Sequence, residues 1–484
     1  PFAAMARHGS WSKAAVTRAR LGFDADRDGF SPWFSGGDCD DSNAAIHPGA
    51  PEIPRDGLDN DCSGADAREA PHPPAPGRPV VLPASIPEPL DLVLVTIETL
   101  RPDHLSLLGY ERPTTPELSA LAADSVVFER TYAAAPGTRL SLAALLSGRT
   151  PSALRWLRQE PARAMRRLAP ENPWLPATLQ QHGYTTLAVH TRFRAFTEVE
   201  NAGFDRGFDV YDTSTPLDFV GGSMRGFPGQ RQVDRALELL DHAARRPLFL
   251  WLHLVEPHYS YEQSPHVPSF GTDDVALYDA EIAEADRQLG RLVSGLRKRQ
   301  RLERTLLVVT GDHGEEFGEH GQRFHATNLY EPQVRTLALL RVPGLPARRV
   351  REPIVLTDLA PTIERLLRVP ELDARPSEGR NLLGLLLGGE RPKPRFFLEN
   401  LRVESGAQRA TALVEWPFKL IYEEEAGTLE LYDVERDPLE QNNLYAASPA
   451  TSGKLLEHLH ARLESAAFPD TAPASRPNDR QEMP

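Results

Sequence analysis

Four residues can carry chemistry if the fold brings them together: Glu98, Thr138, Asp312 and His313. Glu98 follows a continuous apolar run over residues 92–97, and Asp312-His313 follows another over 305–310. In open α/β sheets the reactive groups gather outside the carboxyl ends of the strands. A carboxylate from one strand end and an Asp-His pair from a second suit a hard-to-borderline cation. Thr138 lies between them, where the loop Ala135-Pro136-Gly137 gives way to a short apolar helix. A helix N-terminus favours an anion through its dipole and its unpaired N–H groups. A hydroxyl there, deprotonated by an adjacent cation, can attack phosphorus or sulfur. Taken alone, Thr138 reads better as an N-cap, a role threonine often fills. Beside Glu98, Asp312 and His313 the nucleophile reading is favoured.

The elements that must position these groups follow from the hydrophobic pattern. Continuous apolar runs over 92–97, 186–189, 248–254, 305–310 and 337–342 predict strands buried on both faces. Helical periodicity over 116–124, 140–146, 175–182, 232–244, 274–299 and 356–367 alternates with them. That alternation predicts an α/β fold with a mainly parallel sheet covered by helices. After Arg395 the runs shorten, at 396–398, 412–414, 418–422 and 429–432, and predict a small antiparallel sheet with a helix near 455–463.

The chain has 484 residues, enough for one large catalytic domain with appendages. Its formal charge of −14 argues against nucleic acid as the main partner. No run of about 18 apolar residues is present, so no membrane-spanning helix is predicted. The chain begins at Pro1 without a signal peptide, which suggests a fragment whose export signal or membrane segment lies upstream.

Aspartate is dense between Asp24 and Asp66, and Asp24-Ala25-Asp26-Arg27-Asp28-Gly29 has the alternating carboxylates of a calcium loop. The closing glutamate of an EF-hand is absent, since Ser35 stands there. Asp38, Asp40, Asp41, Asp56, Asp59 and Asp61 supply further acids, and calcium is the expected ion. An acidic linker without structure is the competing reading. Both cysteines of the chain, Cys39 and Cys62, lie in this stretch. They read as one disulfide formed in an oxidising compartment, with two free thiols as the alternative.

From Leu90 to about Leu444 the chain resembles the sulfatase-like family of the alkaline phosphatase superfamily. The stretches that carry the resemblance are LVTIETLRPDH, LLSGRTP, GFDRGFD, HLVEPH, TGDHGEEFGEHG, LTDLAPT and LYDVERDPLEQNNL. The Asp24–Asp66 stretch, with DCDD, HPGA and DGLDNDC, resembles a metal-binding motif of secreted bacterial proteins. The family resemblance implies an α/β/α sandwich with a smaller C-terminal sheet subdomain. Sulfatases carry a Cys or Ser that is converted to formylglycine within C/S-x-P-S-R. Here the aligned residues are Thr138-Arg139-Leu140-Ser141-Leu142, and threonine is not a substrate for that conversion. The Glu98, Thr138, Asp312, His313 quartet is instead similar to phosphoethanolamine and phosphoglycerol transferases of bacterial envelopes. The resemblance implies that these four bind one divalent cation (Zn²⁺, Mn²⁺, Mg²⁺ or Ca²⁺). It also implies that His253, His258 and His325 hold the transferred anion or protonate the leaving group. Structural hydrogen bonding is the alternative for each. His320 reads equally as a loop residue, and His104 with Asp103 as a cap for the next helix.

The expected organisation is therefore an N-terminal segment (1–23), an Asp-rich disulfide and calcium module (24–69), and a Pro-rich linker (70–89). A catalytic domain (90–395), a C-terminal subdomain (396–465) and a disordered tail (466–484) follow. The expected activity is cleavage or transfer of a phosphate ester group, favouring a phosphodiester of a lipid head group, outside the cytoplasm. The acceptor would be water, a lipid or an envelope glycan. Hydrolysis of sulfuric or phosphoric monoesters without formylglycine is one alternative. A catalytically inactive, calcium-stabilised surface protein is the other.

Overall fold

Short apolar runs bounded by turns become the strands of one sheet, and the amphipathic stretches between them become its covering helices. The structure, a computed structural model, describes residues 22–28, 30–32, 38–47, 50, 57–60, 62, 81–157, 167–192, 202–220, 223–243, 247–369, 378–389, 394–401 and 409–465. The N-terminal segment up to residue 21, the linker up to residue 80 and the tail lie outside these residues.

The central sheet contains β1 (Asp91–Ile97), β2 (Val126–Tyr132), β3 (Thr185–Thr191), β4 (Val210–Thr215), β5 (Leu248–Leu254), β6 (Thr305–Gly311), β7 (Arg335–Arg341), β8 (Arg348–Val350) and β9 (Ile354–Val355). Their order is β8-β2-β7-β6-β1-β5-β3-β4, and β9 also pairs with β2. Only β7 runs antiparallel to its neighbours; the other pairings are parallel. β1, β5 and β6 are buried along their whole length, as their unbroken apolar sequence requires. Four strands of this sheet were not legible in the sequence, of which β8 and β9 are only three and two residues long. β2 is interrupted by Glu129 and Arg130, and β4 reads VYDTST, too polar to stand out.

One face of the sheet, built on Leu92, Leu94, Phe249, Trp251, Leu306 and Val308, is covered by α2 (Thr138–Ser147) with α3 (Leu175–Gln181) and α6 (Leu359–Leu366). The other face, built on Val93, Val95, Leu250, Leu252, Leu307 and Val309, takes α1 (Pro116–Ala122), α4 (Gly229–His242) and α5 (Asp274–Lys298). α5 starts where the Asp273 side chain accepts from Ala276 N at 3.0 Å, which satisfies one of the helix's unpaired donors. α6 is shorter than its periodicity suggests, because residues 356–358 form a 3-10 turn.

A second sheet follows, with β10 (Arg395–Asn400), β11 (Ala410–Glu415), β12 (Phe418–Glu423) and β13 (Thr428–Asp433) antiparallel in chain order. α7 (Pro449–Ser465) covers one face through Leu455, Leu456 and Leu459. The opposite face, through Phe396, Leu398, Ala412 and Tyr432, packs on Tyr132, Ala134 and Ala144 of the large domain. A charge pair reinforces this seam: the fully buried Lys419 ammonium lies 3.0 Å from Glu331 and 2.9 Å from Glu440. Burial raises the Glu440 carboxyl to about 7 against the pull of Lys419.

Candidate active site

Strand register brings the first two carboxylates together. β1 and β6 pair with Ile97 opposite Gly311, so the next residues, Glu98 and Asp312, are neighbours. The ladder continues through both: Asp312 N donates to Ile97 O at 3.0 Å, and Glu98 N to Leu254 O at 2.9 Å. Side chains alternate across a strand, so Glu98 and Asp312 point to the face of Leu94 and Val308. α2 covers that face. Gly311 allows the close approach, since a Cβ there would fall 2.2 Å from Thr336 Oγ1 and 2.7 Å from Leu100 Cβ.

Thr138 is the first residue of α2, and Gly137 occupies the N-cap without a side-chain bond. The hydroxyl is therefore not spent on capping. It donates to Glu98 Oε1 at 2.6 Å and lies 3.2 Å from His313 Nε2. His313 Nδ1 is 2.9 Å from Gly314 O, which makes it the protonated nitrogen and leaves Nε2 as an acceptor when the ring is neutral. Asp312 Oδ1 accepts from Thr99 N at 3.0 Å and His313 N at 2.8 Å. Asp312 Oδ2 is buried and takes no hydrogen bond.

Ligand atoms of Glu98, Asp312 and His313 all lie within 4.8 Å of one another, and all three residues are 0% exposed. Without a cation the electrostatics are divided. Burial and the adjacent Glu98 push the Asp312 carboxyl up to about 6. Burial opposes charge on His313, yet Asp312 and Glu98 raise it to about 10. Burial opposes charge on Glu98 too, but hydrogen bonds from His253 and His313 hold its carboxyl well below the ordinary range. Buried carboxylates with an unused oxygen, beside an imidazole nitrogen able to accept, fit a divalent cation.

The remaining histidines separate into different roles. His253 Nε2 meets Glu98 Oε2 at 2.9 Å, and its Nδ1 meets Thr96 Oγ1 at 2.8 Å, where Trp251 Nε1 also donates at 3.0 Å. It is fully buried and orients Glu98. His258 and His325 form a second group with Glu98, again with ligand atoms within 4.8 Å. His325 Nδ1 lies 2.9 Å from Glu315 Oε1, and Tyr261 OH donates to Glu315 Oε2 at 2.8 Å. Burial disfavours charge on His325, but Glu315 outweighs it and raises the imidazole. Burial, with His325 beside it, lowers His258. His320 stacks on Tyr330 at 3.8 Å, and His104 pairs with Asp279 at 2.7 Å, so neither joins the cluster. Sequence reasoning missed Glu315, Tyr261 and Thr96. Glu315 had a signal, being a carboxylate two residues after His313.

A profile of the sulfatase family matches residues 91–369, more than half of the chain. The chain belongs to the sulfatase family. A second profile, described as a putative metal-binding motif, matches residues 38–67. Among curated relatives, choline-sulfatase of Rhizobium meliloti (strain 1021) is 30% identical over 168 residues, covering 34% of this chain and 32% of that protein. The match thus spans about a third of that relative's length. N-acetylgalactosamine-6-sulfatase of Canis lupus familiaris is 26% identical, covering 65% of this chain and 69% of that protein. Phosphonate monoester hydrolase of Agrobacterium radiobacter superposes with a TM-score of 0.62 at 18% identity, covering 78% of this chain and 96% of that one. A putative sulfatase of Bacteroides fragilis gives 0.65 at 18%, covering 81% and 98%. The sulfatase fold thus accounts for the large domain and the small C-terminal sheet together.

In the N-terminal stretch a disulfide joins Cys39 to Cys62, with a Cα–Cα separation of 5.5 Å. Two carboxylate triads form, Asp24/Asp26/Asp41 and Asp26/Asp28/Asp38, each with ligand atoms within 4.8 Å. Asp26, Asp28 and Asp38 each spend Oδ1 on a backbone N–H two residues on. Each also keeps a buried Oδ2 without a hydrogen bond. Burial raises the Asp38 carboxyl to about 6. This donor set of carboxylate oxygens alone fits a hard cation. Asp40 turns to Ser42 instead, and neither it nor Asp59 belongs to a triad. Asp56 and Asp61 lie outside the described residues.

Replacing Asp312 with Asn tests the active-site cluster. The variant should retain one divalent cation fewer per chain after dialysis, read by elemental analysis. In metal-free protein it should unfold at higher temperature, because a buried like charge is gone. Unchanged cation content and an unchanged midpoint would remove the cluster as a cation site.

Proposed function

We propose that this chain cleaves or transfers a phosphate ester group, with a phosphodiester of a lipid head group as the favoured substrate and Thr138 Oγ1 as the nucleophile. The observation that carries the reading is the Thr138 hydroxyl. It stands at the start of α2, uncapped, 2.6 Å from Glu98 and 3.2 Å from His313. A threonine cannot become formylglycine, so the hydrated-aldehyde chemistry of ordinary sulfatases is not open to it.

A divalent cation held by Glu98, Asp312 and His313 together with Thr138 would act as a Lewis acid and lower the pKa of the hydroxyl. Thr138 Oγ1 attacks phosphorus, and its proton has an acceptor in Glu98 Oε1, already within hydrogen-bond reach. The amides of the first turn of α2 and its dipole favour the developing negative charge. The bond from phosphorus to the leaving oxygen breaks, and its electron pair stays on that oxygen. His325 supplies the proton through Nε2, since Nδ1 is committed to Glu315. The phosphoryl group passes from Thr138 to water, a lipid or an envelope glycan, which regenerates the hydroxyl. The quartet's similarity to phosphoethanolamine and phosphoglycerol transferases supports this reading.

A second reading is a sulfuric or phosphoric monoester hydrolase that works without formylglycine. The names of the curated relatives, which are sulfatases, favour it. We place the protein outside the cytoplasm on the strength of the Cys39–Cys62 disulfide. Among the described residues no helix is long and apolar enough to cross a membrane. In the N-terminal module calcium would hold the two triads, a structural role that replaces a hydrophobic core.

Assays on bis-(p-nitrophenyl) phosphate, p-nitrophenyl phosphate and p-nitrophenyl sulfate separate the readings. The diester should be turned over fastest. Thr138→Ala should lose at least about a thousandfold in kcat, the scale of removing a nucleophile that acts as part of a unit. Full activity in Thr138→Ala would sink the mechanism, and a preference for p-nitrophenyl sulfate would favour the hydrolase. For the module, EGTA or a reductant should each lower the unfolding midpoint. No shift with either would contradict the calcium and disulfide account.

A further inference from the structure

We propose that Asn400 is a positioning residue for His325, so that the C-terminal subdomain orients the leaving-group side of the site. The inference rests on the role given above to His325 and adds a residue that no sequence signal singled out.

The backbone that carries His325 does not hold itself in place. Phe324 has φ 74° and Ala326 has φ 62°, so the residues on both sides of His325 occupy the left-handed region without being glycine. Such a conformation is strained and persists only where the surroundings impose it. Phe324 is held by its antiparallel pairing with Glu316, and two hydrogen bonds hold Ala326. Ala326 N donates to Pro136 O at 2.8 Å, in the loop that leads into Thr138. Asn400 Nδ2 donates to Ala326 O at 3.2 Å. The donor must be the amide nitrogen, because a carbonyl can only accept.

Asn400 is well placed to impose a conformation. It is the last residue of β10 and is 3% exposed. The preceding residue is tied to the same region, since Glu399 N donates to Ala134 O at 2.8 Å. The end of β10 therefore meets two loops at once, the one before Thr138 and the one carrying His325. A third bond, from His325 Nδ1 to Glu315 Oε1 at 2.9 Å, sets the ring. Backbone position and ring rotation thus come from different partners. Asn400 controls the first and makes no contact with a reacting group.

When the bond from phosphorus to the leaving oxygen breaks, a basic leaving group must receive a proton, and a stable anion need not. A displaced His325 should slow departure of phenol, whose pKa is about 10, and spare departure of p-nitrophenol. The test compares methyl phenyl phosphate with methyl p-nitrophenyl phosphate in wild type, Asn400→Ala, Asn400→Leu and His325→Ala. Asn400→Leu keeps the branched outline of the side chain and removes the amide. Both Asn400 variants should lose about tenfold in kcat on the phenyl ester, part of the 10²–10⁴ that a general acid contributes. They should lose less than about twofold on the p-nitrophenyl ester, with KM little changed. His325→Ala should show the same asymmetry, larger. Equal losses on both esters in the Asn400 variants, or no loss, would overturn the proposal. If His325→Ala itself lacks the asymmetry, the role of His325 has failed instead. Thermal unfolding of each variant separates displacement of His325 from loss of fold.

Discussion

Two carboxylates, Glu98 and Asp312, stand side by side in the interior because β1 and β6 run parallel with Ile97 opposite Gly311. Two unit charges about 4 Å apart repel by about 4 kcal/mol at an effective dielectric of about 20. Main-chain relief reaches Asp312 Oδ1, which accepts from Thr99 N and His313 N, and leaves Oδ2 without a partner. The repulsion explains the neighbours. His313 comes within 3.1 Å of Glu98, and His253 holds the other Glu98 oxygen at 2.9 Å. Asp312 Oδ2 is still left without a hydrogen bond. A buried pair of this kind is tolerable when a cation sits between its members, and the Thr138 hydroxyl is placed where such a cation would polarise it.

The scaffold serves that arrangement from two sides. Side-chain alternation delivers Thr96, Glu98, His253, Thr310 and Asp312 to one face of the sheet, and α2 closes over it. The C-terminal sheet then braces the loops around the site. Its seam with the large domain is apolar through Phe396 and Leu398, and charged through Lys419. The end of β10 reaches the loop before Thr138 and the segment of His325. A subdomain that looks accessory in sequence thereby becomes part of the geometry of the site.

Much of the large domain was legible because burial on both faces writes an unbroken apolar run, as in β1, β5 and β6. β2 and β4 were not, since Glu129, Arg130 and the polar VYDTST break the pattern. Thr138 could be read as a cap or a nucleophile from sequence; Gly137 in the cap position removes the first of these readings. The distinct environments of His253 and His325 were invisible, because they depend on Thr96 and Glu315 coming from another strand and loop. In the N-terminal stretch the alternating aspartates announced carboxylates converging on an ion. Which of them converge was not readable, and Asp40 turns away because Ser42 offers it a local hydrogen bond.

As the proposed nucleophile, Thr138 Oγ1 would attack the substrate and carry its phosphoryl group. Acid quenching during turnover of bis-(p-nitrophenyl) phosphate, followed by digestion and mass spectrometry, tests it directly. The expected adduct is a peptide carrying a p-nitrophenyl phosphoryl group on Thr138, from displacement of one p-nitrophenol, and it should be absent from Thr138→Ala. Turnover that proceeds with Thr138 unmodified at every quench time, and that survives in Thr138→Ala, would contradict it.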